Sequence, residues 1–233
     1  MDTQQLHVKS VVPTLEFDLI GDLVCPWSFL GKRSLERALQ SLYGFPARVL
    51  RWHGLPLAGD RVRASWREHF SSRLPPGTTL DEMEKTLRAS GSELGIEFAF
   101  ERLGALPDTH EAHRLVRVAA RDGRQGEVID LLFSAFFERG RDLADPAVLA
   151  EIAREAQLEP ATCTAFADPG EGRGDVTADE QRMRGLGISV VPNLLINGRV
   201  LVPGPADVST YVQALDQALF PELKSTRSRR RLH

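Results

Sequence analysis

Strand-like patterning occurs only near the two ends of this chain, and the long middle, from Gly59 to Gly174, reads as helix. Any sheet must therefore draw its strands from both ends. Residues 14–20 alternate and then run apolar, as a half-buried strand does. A loop from Asp22 to Ser28 follows, and a helix is predicted over 26–42, with Phe29, Leu30, Leu35, Ala38, Leu39 and Leu42 on one face. Pro26 suits the first helical turn, where its missing N–H costs nothing. Gly44 punctuates, and 47–55 reads as a second strand. Toward the other end, a helix over 176–185 is followed by Gly187 to Val191 and Pro192. Short strands are then expected at 193–196 and 199–202, around Asn197-Gly198, a pair that favours a type I′ hairpin turn. An amphipathic helix over 206–220 closes the pattern.

The middle carries its own punctuation. A helix over 80–90 is closed by Gly91. Asp108-Thr109-His110-Glu111 has the look of a cap with an acidic third residue, opening a helix to Arg121. Residues 125–138 are strongly apolar, and the stripe from Leu131 to Phe137 is expected as core. Asp145-Pro146 supplies an N-cap and a first-turn proline for a helix to Gln157, with a short helical turn over 160–167. Residues 168–174 form a Pro/Gly-rich linker. A strand–helix–strand half and a helix–hairpin–helix half can complete one four-stranded sheet. The fold class is α/β, with a large all-helical insertion.

Composition bounds the function classes. The 233 residues are 42% apolar and 26% charged, ordinary for a globular chain. No run of about 18 apolar residues exists, so no membrane helix is expected. Residues 1–12 lack an apolar core, so no secretory signal is expected and the cytoplasm is the default. The net charge of −3 gives no footprint for nucleic acid. Residues 221–233 hold Lys224, Arg227, Arg229, Arg230 and Arg231 against Glu222, which leaves −7 on the rest. A frayed, solvated terminus is the plain reading of this tail, and a tether to an acidic partner is the second.

There are two cysteines, Cys25 and Cys163, too few for a disulfide scaffold. Cys25 falls between a strand end and a helix start. Unpaired N–H groups and a partial positive charge there favour a thiolate, so a depressed pKa is expected. Ser28, one turn on, returns to the same face and could donate to the sulfur. Lys32 and Arg33 add positive field. Trp27 shields the sulfur or walls a substrate. The plain alternative for Cys25 is an inert, buried strand-end residue. Val191-Pro192, ahead of a hairpin, fits a proline of the thioredoxin-like kind, which is cis and faces the helix-start cysteine. It would hold the Val191 main chain extended to pair with a thiol-bearing partner. His53, at a strand end, is a further candidate. His110 and His113 share a helix face, but no third ligand stands at metal spacing. Cys163 reads as a packing residue.

Five segments together resemble the DsbA-like thioredoxin-fold oxidoreductases, in their FrnE-type branch. They are FDLIGDLVCPWSFLGKRSLERAL (17–39), VLRWHGLPL (49–57), PDTHEAHRL (107–115), LLFSAFFERGRDLADPAVLAEIA (131–153) and GISVVPNLLING (187–198). The branch is related in fold to kappa-class glutathione transferases and 2-hydroxychromene-2-carboxylate isomerases. The resemblance implies a thioredoxin-like four-stranded mixed sheet made from residues 13–58 and 175–221. It also implies a helical insertion over 59–174 and leaves 222–233 as a basic flexible tail. It further implies a thiol–disulfide oxidoreductase with Cys25 and Ser28 at the catalytic turn and with Pro26, Trp27, Val191, Pro192 and His53 on the thiol-binding side. Members usually show Cys-Pro-Trp-Cys; here the second position is Ser28. They also tend to have Arg where this chain has His53, and Asn where it has Asp108.

A dithiol resolves its own mixed disulfide, whereas Cys25 alone needs another thiol. The first functional expectation is a cytosolic monothiol oxidoreductase, with no tightly bound cofactor and with glutathione or a protein thiol as resolving co-substrate. The second is a glutathione-dependent transferase or isomerase acting on a small aromatic or polyketide-like molecule. The third is a thiol-binding module without turnover. Expected partners are protein or small-molecule thiols and disulfides, with no nucleic acid and no membrane; a homodimer is allowed.

Overall fold

The computed structural model describes residues 15–41, 48–57 and 64–220. The basic tail lies outside them. The chain opens β1 (Leu15–Gly21), α1 (Pro26–Gln40), β2 (Arg48–Gly54). A helical block follows: α2 (Trp66–Ser71), α3 (Leu80–Glu93), α4 (His110–Ala119), α5 (Gln125–Phe137), α6 (Pro146–Glu155), α7 (Pro160–Ala167) and α8 (Arg173–Gly185). It closes β3 (Asn193–Ile196), β4 (Val200–Pro203), α9 (Val208–Leu219). The strands form a four-stranded mixed sheet in the order β2-β1-β3-β4, with β1 parallel to β2 and antiparallel to β3. This is the α/β, thioredoxin-like architecture expected. Strands from both ends of the chain meet on β1, where Leu19 pairs with Trp52 on one side and Leu194 on the other.

Alternation along β1 decides what covers each face. Leu15, Phe17 and Leu19 point with Trp52, Leu194 and Ile196 into the main core, under α1 and α9. Ile20 points the other way and packs with Leu55 and Met183 beneath α8. The hairpin turns at Asn197 and Gly198, both at positive φ (51° and 63°), as the type I′ expectation requires.

The helical block is organised by stacked rings. Phe133 of α5 stacks on Phe29 of α1 at 4.7 Å and 10°, and meets Trp52 of β2 edge-on. Phe98 stacks on Phe100, and Phe100 on Trp66. Leu132, Phe133, Phe136 and Phe137 are buried, so the apolar stripe is core, as read. Asp145 caps α6, accepting from the Ala147 N–H, with Pro146 in the first turn.

Two local readings are corrected. Gly91 does not close α3, which runs on to Glu93. A side chain at 91 would meet the Phe98 ring at 2.8 Å, so glycine is there for packing. The cap of α4 is also different. Thr109 is its N-cap but makes no side-chain cap, because its hydroxyl is used elsewhere. The Asp108 carboxylate accepts from the His110 N–H instead.

His53 fastens α8 to the sheet. Its Nδ1 lies 2.7 Å from Asp179 of α8 and its Nε2 2.9 Å from Asp18 of β1. Burial opposes the imidazolium, but the hydrogen bonds and charges of Asp179 and Asp18 outweigh it and raise the His53 pKa above 6.5. The sign follows from linkage. This contribution to stability is complete below 6.5 and is lost as pH rises through the raised folded value. Thermal melts of the native protein and His53→Gln should therefore differ most on the acid side and converge above the folded value. A gap that stays constant with pH would refute the charged latch.

Candidate active site

Cys25 is the N-cap of α1, with extended backbone (φ −94°, ψ 114°). Its N–H donates to the Asp22 carbonyl at 3.1 Å, and its own carbonyl accepts from the N–H groups of Ser28 and Phe29. The turn is thus closed by its own main chain, with Pro26 in the first helical position. The peptide bond between Val191 and Pro192 is cis. The Cys25 thiol faces the Val191 carbonyl, with Sγ 4.0 Å from the oxygen. The two halves of the sequence motif, 166 positions apart, therefore meet as read.

The loop before Pro192 is held from several sides. Asn193 Nδ2 donates to the Val190 carbonyl at 2.6 Å, and the Gly204 N–H donates to the Pro192 carbonyl at 2.8 Å. Gly31 lets α1 approach closely, since a Cβ there would lie 3.5 Å from the Pro192 ring and 3.2 Å from the Tyr211 hydroxyl. Val191 rests on the cluster of Ile20, Leu55 and Met183.

Ser28 has no exposed surface. Its Oγ accepts from the Asp22 N–H at 3.4 Å, and Ser28 favours the Cys25 thiolate through its side chain and its N–H. The thiol ionises differently from the sequence expectation. Cys25 is only 1% exposed, and burial pushes its pKa up to about 11. The Ser28 and Trp27 hydrogen bonds pull it down, and the Asp22 charge pushes it further up. Burial outweighs the helix terminus. The assumed field of Lys32 and Arg33 is also spent elsewhere. Lys32 is fully buried and paired with Glu36 at 2.5 Å and Asp130 at 2.7 Å. Arg33 pairs with the same two carboxylates.

Trp27 is half-buried, tilted against Phe70 with ring centroids 5.7 Å apart. It walls a cavity of about 300 Å³ between α1, α3 and the start of α9, together with Leu30, Leu87, Leu94, Pro205 and Asp207. Both ring nitrogens of His53 are taken up in the latch, Nε2 by Asp18 of β1 and Nδ1 by Asp179 of α8. Cys163 is half-buried on α7, packs against the core, and directs its thiol at the Leu158 carbonyl (3.7 Å). Both cysteines are free.

One residue of the site escaped the sequence reading. Asp22 has no exposed surface. Its Oδ1 accepts from the Thr109 hydroxyl (3.0 Å) and from His113 Nε2 (3.2 Å), and its Oδ2 from the Leu57 N–H (2.7 Å). Trp52 Nε1–H in turn donates to His113 Nδ1 at 3.1 Å. Gly54 makes room for this ring, because a Cβ there would stand 2.6 Å from Nδ1. The available signal was a carboxylate alone in the apolar run from Leu19 to Val24.

The profile of the DSBA-like thioredoxin domain matches residues 18–216, from β1 into α9, and so includes Cys25, Val191 and Pro192. The chain belongs to the DSBA-like thioredoxin domain family. Among relatives of this DSBA-like chain is the uncharacterised protein YwbO of Bacillus subtilis (strain 168), 23% identical over 215 residues, which are 87% of this chain and 96% of that protein. Among solved structures, a probable DsbA oxidoreductase from Streptomyces coelicolor aligns with a TM-score of 0.75 at 24% identity, covering 89% of this chain and 91% of that one. The cytosolic disulfide reductase DsbM of Pseudomonas aeruginosa, solved with GSH, aligns with a TM-score of 0.56 at 25% identity, covering 92% and 100%. This chain therefore has the DsbA-like thiol oxidoreductase fold.

Proposed function

We propose that this DSBA-like protein is a cytosolic thiol–disulfide oxidoreductase of monothiol type. One observation carries the reading: Cys25 faces the Val191 main chain, while the residue one turn along α1 is Ser28 and not a second thiol. The Cys25 thiolate attacks one sulfur of a partner disulfide. The S–S bond breaks, a mixed disulfide forms on Cys25, and the other sulfur leaves as a thiolate that takes up a proton. A second, external thiolate then attacks the mixed disulfide and returns Cys25. Over one cycle the partner disulfide and one external thiol are exchanged for a released partner thiol and a new disulfide that joins the external thiol to the other partner sulfur. Glutathione is the proposed resolving thiol, a proposal supported by the GSH complex of DsbM.

The native residues have separable parts. Ser28 donates to the sulfur and stabilises it as an anion. Val191 presents its carbonyl to the thiol-bearing partner, next to the exposed side chain of Val190. The Cys25 proton leaves to solvent as the partner docks. No helix among the described residues is long and apolar enough to cross a membrane, consistent with the proposed cytosolic setting.

Oxidised glutathione is the direct probe. Intact-mass analysis should show a single glutathione adduct, mapped to Cys25, retained in Cys163→Ala and lost in Cys25→Ala. An adduct on Cys163 alone, or none, would refute the reading.

A further inference from the structure

Asp22 is buried three residues ahead of the nucleophile, yet the groups that hold its carboxylate are not cations. They are the Thr109 hydroxyl, the Leu57 N–H and His113 Nε2. Because Trp52 Nε1–H donates to His113 Nδ1, that nitrogen is the acceptor, and the network assigns the ring proton to Nε2, facing Asp22. His113 is the titratable side chain facing Asp22 from α4. From the loop after β2 comes the Leu57 N–H, and behind His113 stands the Trp52 indole, neither of which titrates. From α1 come Cys25 and Ser28.

Fully buried carboxylates are rare, and the electrostatics of one in a low-dielectric interior reach whatever is near. What is near is the start of α1. The Asp22 carbonyl accepts from the Cys25 N–H, and the Asp22 N–H donates to the Ser28 hydroxyl. An anion at this point opposes the partial positive charge of the helix terminus, which otherwise favours a thiolate.

We propose that Asp22 is a positioning residue that adds to burial in keeping the Cys25 thiol protonated at rest, through its carboxylate held at the base of α1 by Thr109, His113 and Leu57. The proposal rests on the reading of Cys25 as the nucleophile and deepens it. The free protein carries a quiet thiol, and reactivity appears only when a docked partner changes its surroundings. Three of the groups that set this charge, Leu57, Thr109 and His113, come from the segments after β2. The segments after β2 thus act on the thiol through Asp22. The influence of Asp22 on the thiol runs in the direction this requires.

Two substitutions in the full chain should move the thiol in opposite directions. The readout is the pH dependence of iodoacetamide alkylation, quantified on the Cys25 peptide by mass spectrometry. Asp22→Asn keeps the side-chain shape and removes the charge, so the alkylation midpoint should fall by about one pH unit. Thr109→Val removes a donor dipole that offsets part of that charge, so the midpoint should rise. A purely structural network has no reason to give opposite signs. An unchanged midpoint in folded Asp22→Asn, or a shift of both variants in one direction, overturns the proposal. If Asp22→Asn does not fold, Thr109→Val decides alone, an upward shift supporting the proposal and any other result overturning it. Alkylation reads the thiol whether or not mixed disulfides form, so failure of the glutathione experiment is a separate outcome.

Discussion

Ser28→Cys is expected to convert the protein from dependence on an external thiol to self-resolution. Position 28 stands one turn after Cys25 at the start of α1, and helix geometry puts Cα atoms three residues apart at about 5 Å. That is within the Cα range a disulfide accepts, roughly 4.4–6.8 Å. Ser28 is fully buried and its N–H donates to the Cys25 carbonyl at 3.0 Å, so the introduced thiol begins close to its target. On the proposed monothiol reading, a mixed disulfide on Cys25 of the native protein waits for a second molecule. In the variant the attack is intramolecular, with an effective concentration of about 1 mM or more. Against about 10 µM external thiol, release should then be about a hundredfold faster than in the native protein. It should also be independent of the external thiol concentration. The check is stopped-flow quench with mass analysis of the adduct. Unchanged release kinetics would mean that the introduced sulfur cannot reach the adduct, and the reading of Ser28 as a missing resolving thiol would fail.

Phe133→Ala should cost about 3–5 kcal/mol of stability, the usual range for a fully buried phenylalanine. Phe133 has no exposed surface and joins three elements: its own α5, α1 through the stacked Phe29, and β2 through the edge of Trp52. For a chain of this length, each kcal/mol moves Tm by about 2–4 °C, so a drop of roughly 10 °C is expected in a thermal melt. Phe29 follows Ser28 directly, so losing its backing ring should also loosen the α1 start and speed Cys25 alkylation. A loss under about 1 kcal/mol would mean that Phe29 and Trp52 collapse into the space, and that the ring cluster is not what joins the helical block to the sheet.

The Cys25 turn and the loop that faces it were legible because local chemistry marks them. A strand end, a cysteine and a first-turn proline define the start of α1 with no knowledge of the rest. A proline before an Asn-Gly hairpin defines the other side. The ionisation of Cys25 was not legible in the same way. The helix-terminus argument counts nearby peptide groups. The burial that outweighs it is made by segments such as the Val191 loop, 166 positions away. Asp22 was overlooked for the same reason, since Thr109 and His113 lie 87 and 91 positions from it. His53 was placed at the site because it ends a strand. Its partners, Asp18 and Asp179, lie 35 and 126 positions away and commit it to α8. Of the two partners that occupy Lys32 and Arg33, Glu36 is local, four and three residues on, and could have been read from helical spacing, whereas Asp130 sits on another helix. Turn chemistry and periodicity are local and can be read along the chain. Burial and ion pairing depend on which distant segments meet.

The central claim is that Cys25 works alone and is resolved from outside. It is tested most directly by preparing the Cys25–glutathione mixed disulfide of the native protein and measuring its discharge rate against the concentration of reduced glutathione. The account predicts a straight line through the origin. A rate that stays finite as the external thiol goes to zero would reveal a resolving thiol within the protein and contradict it.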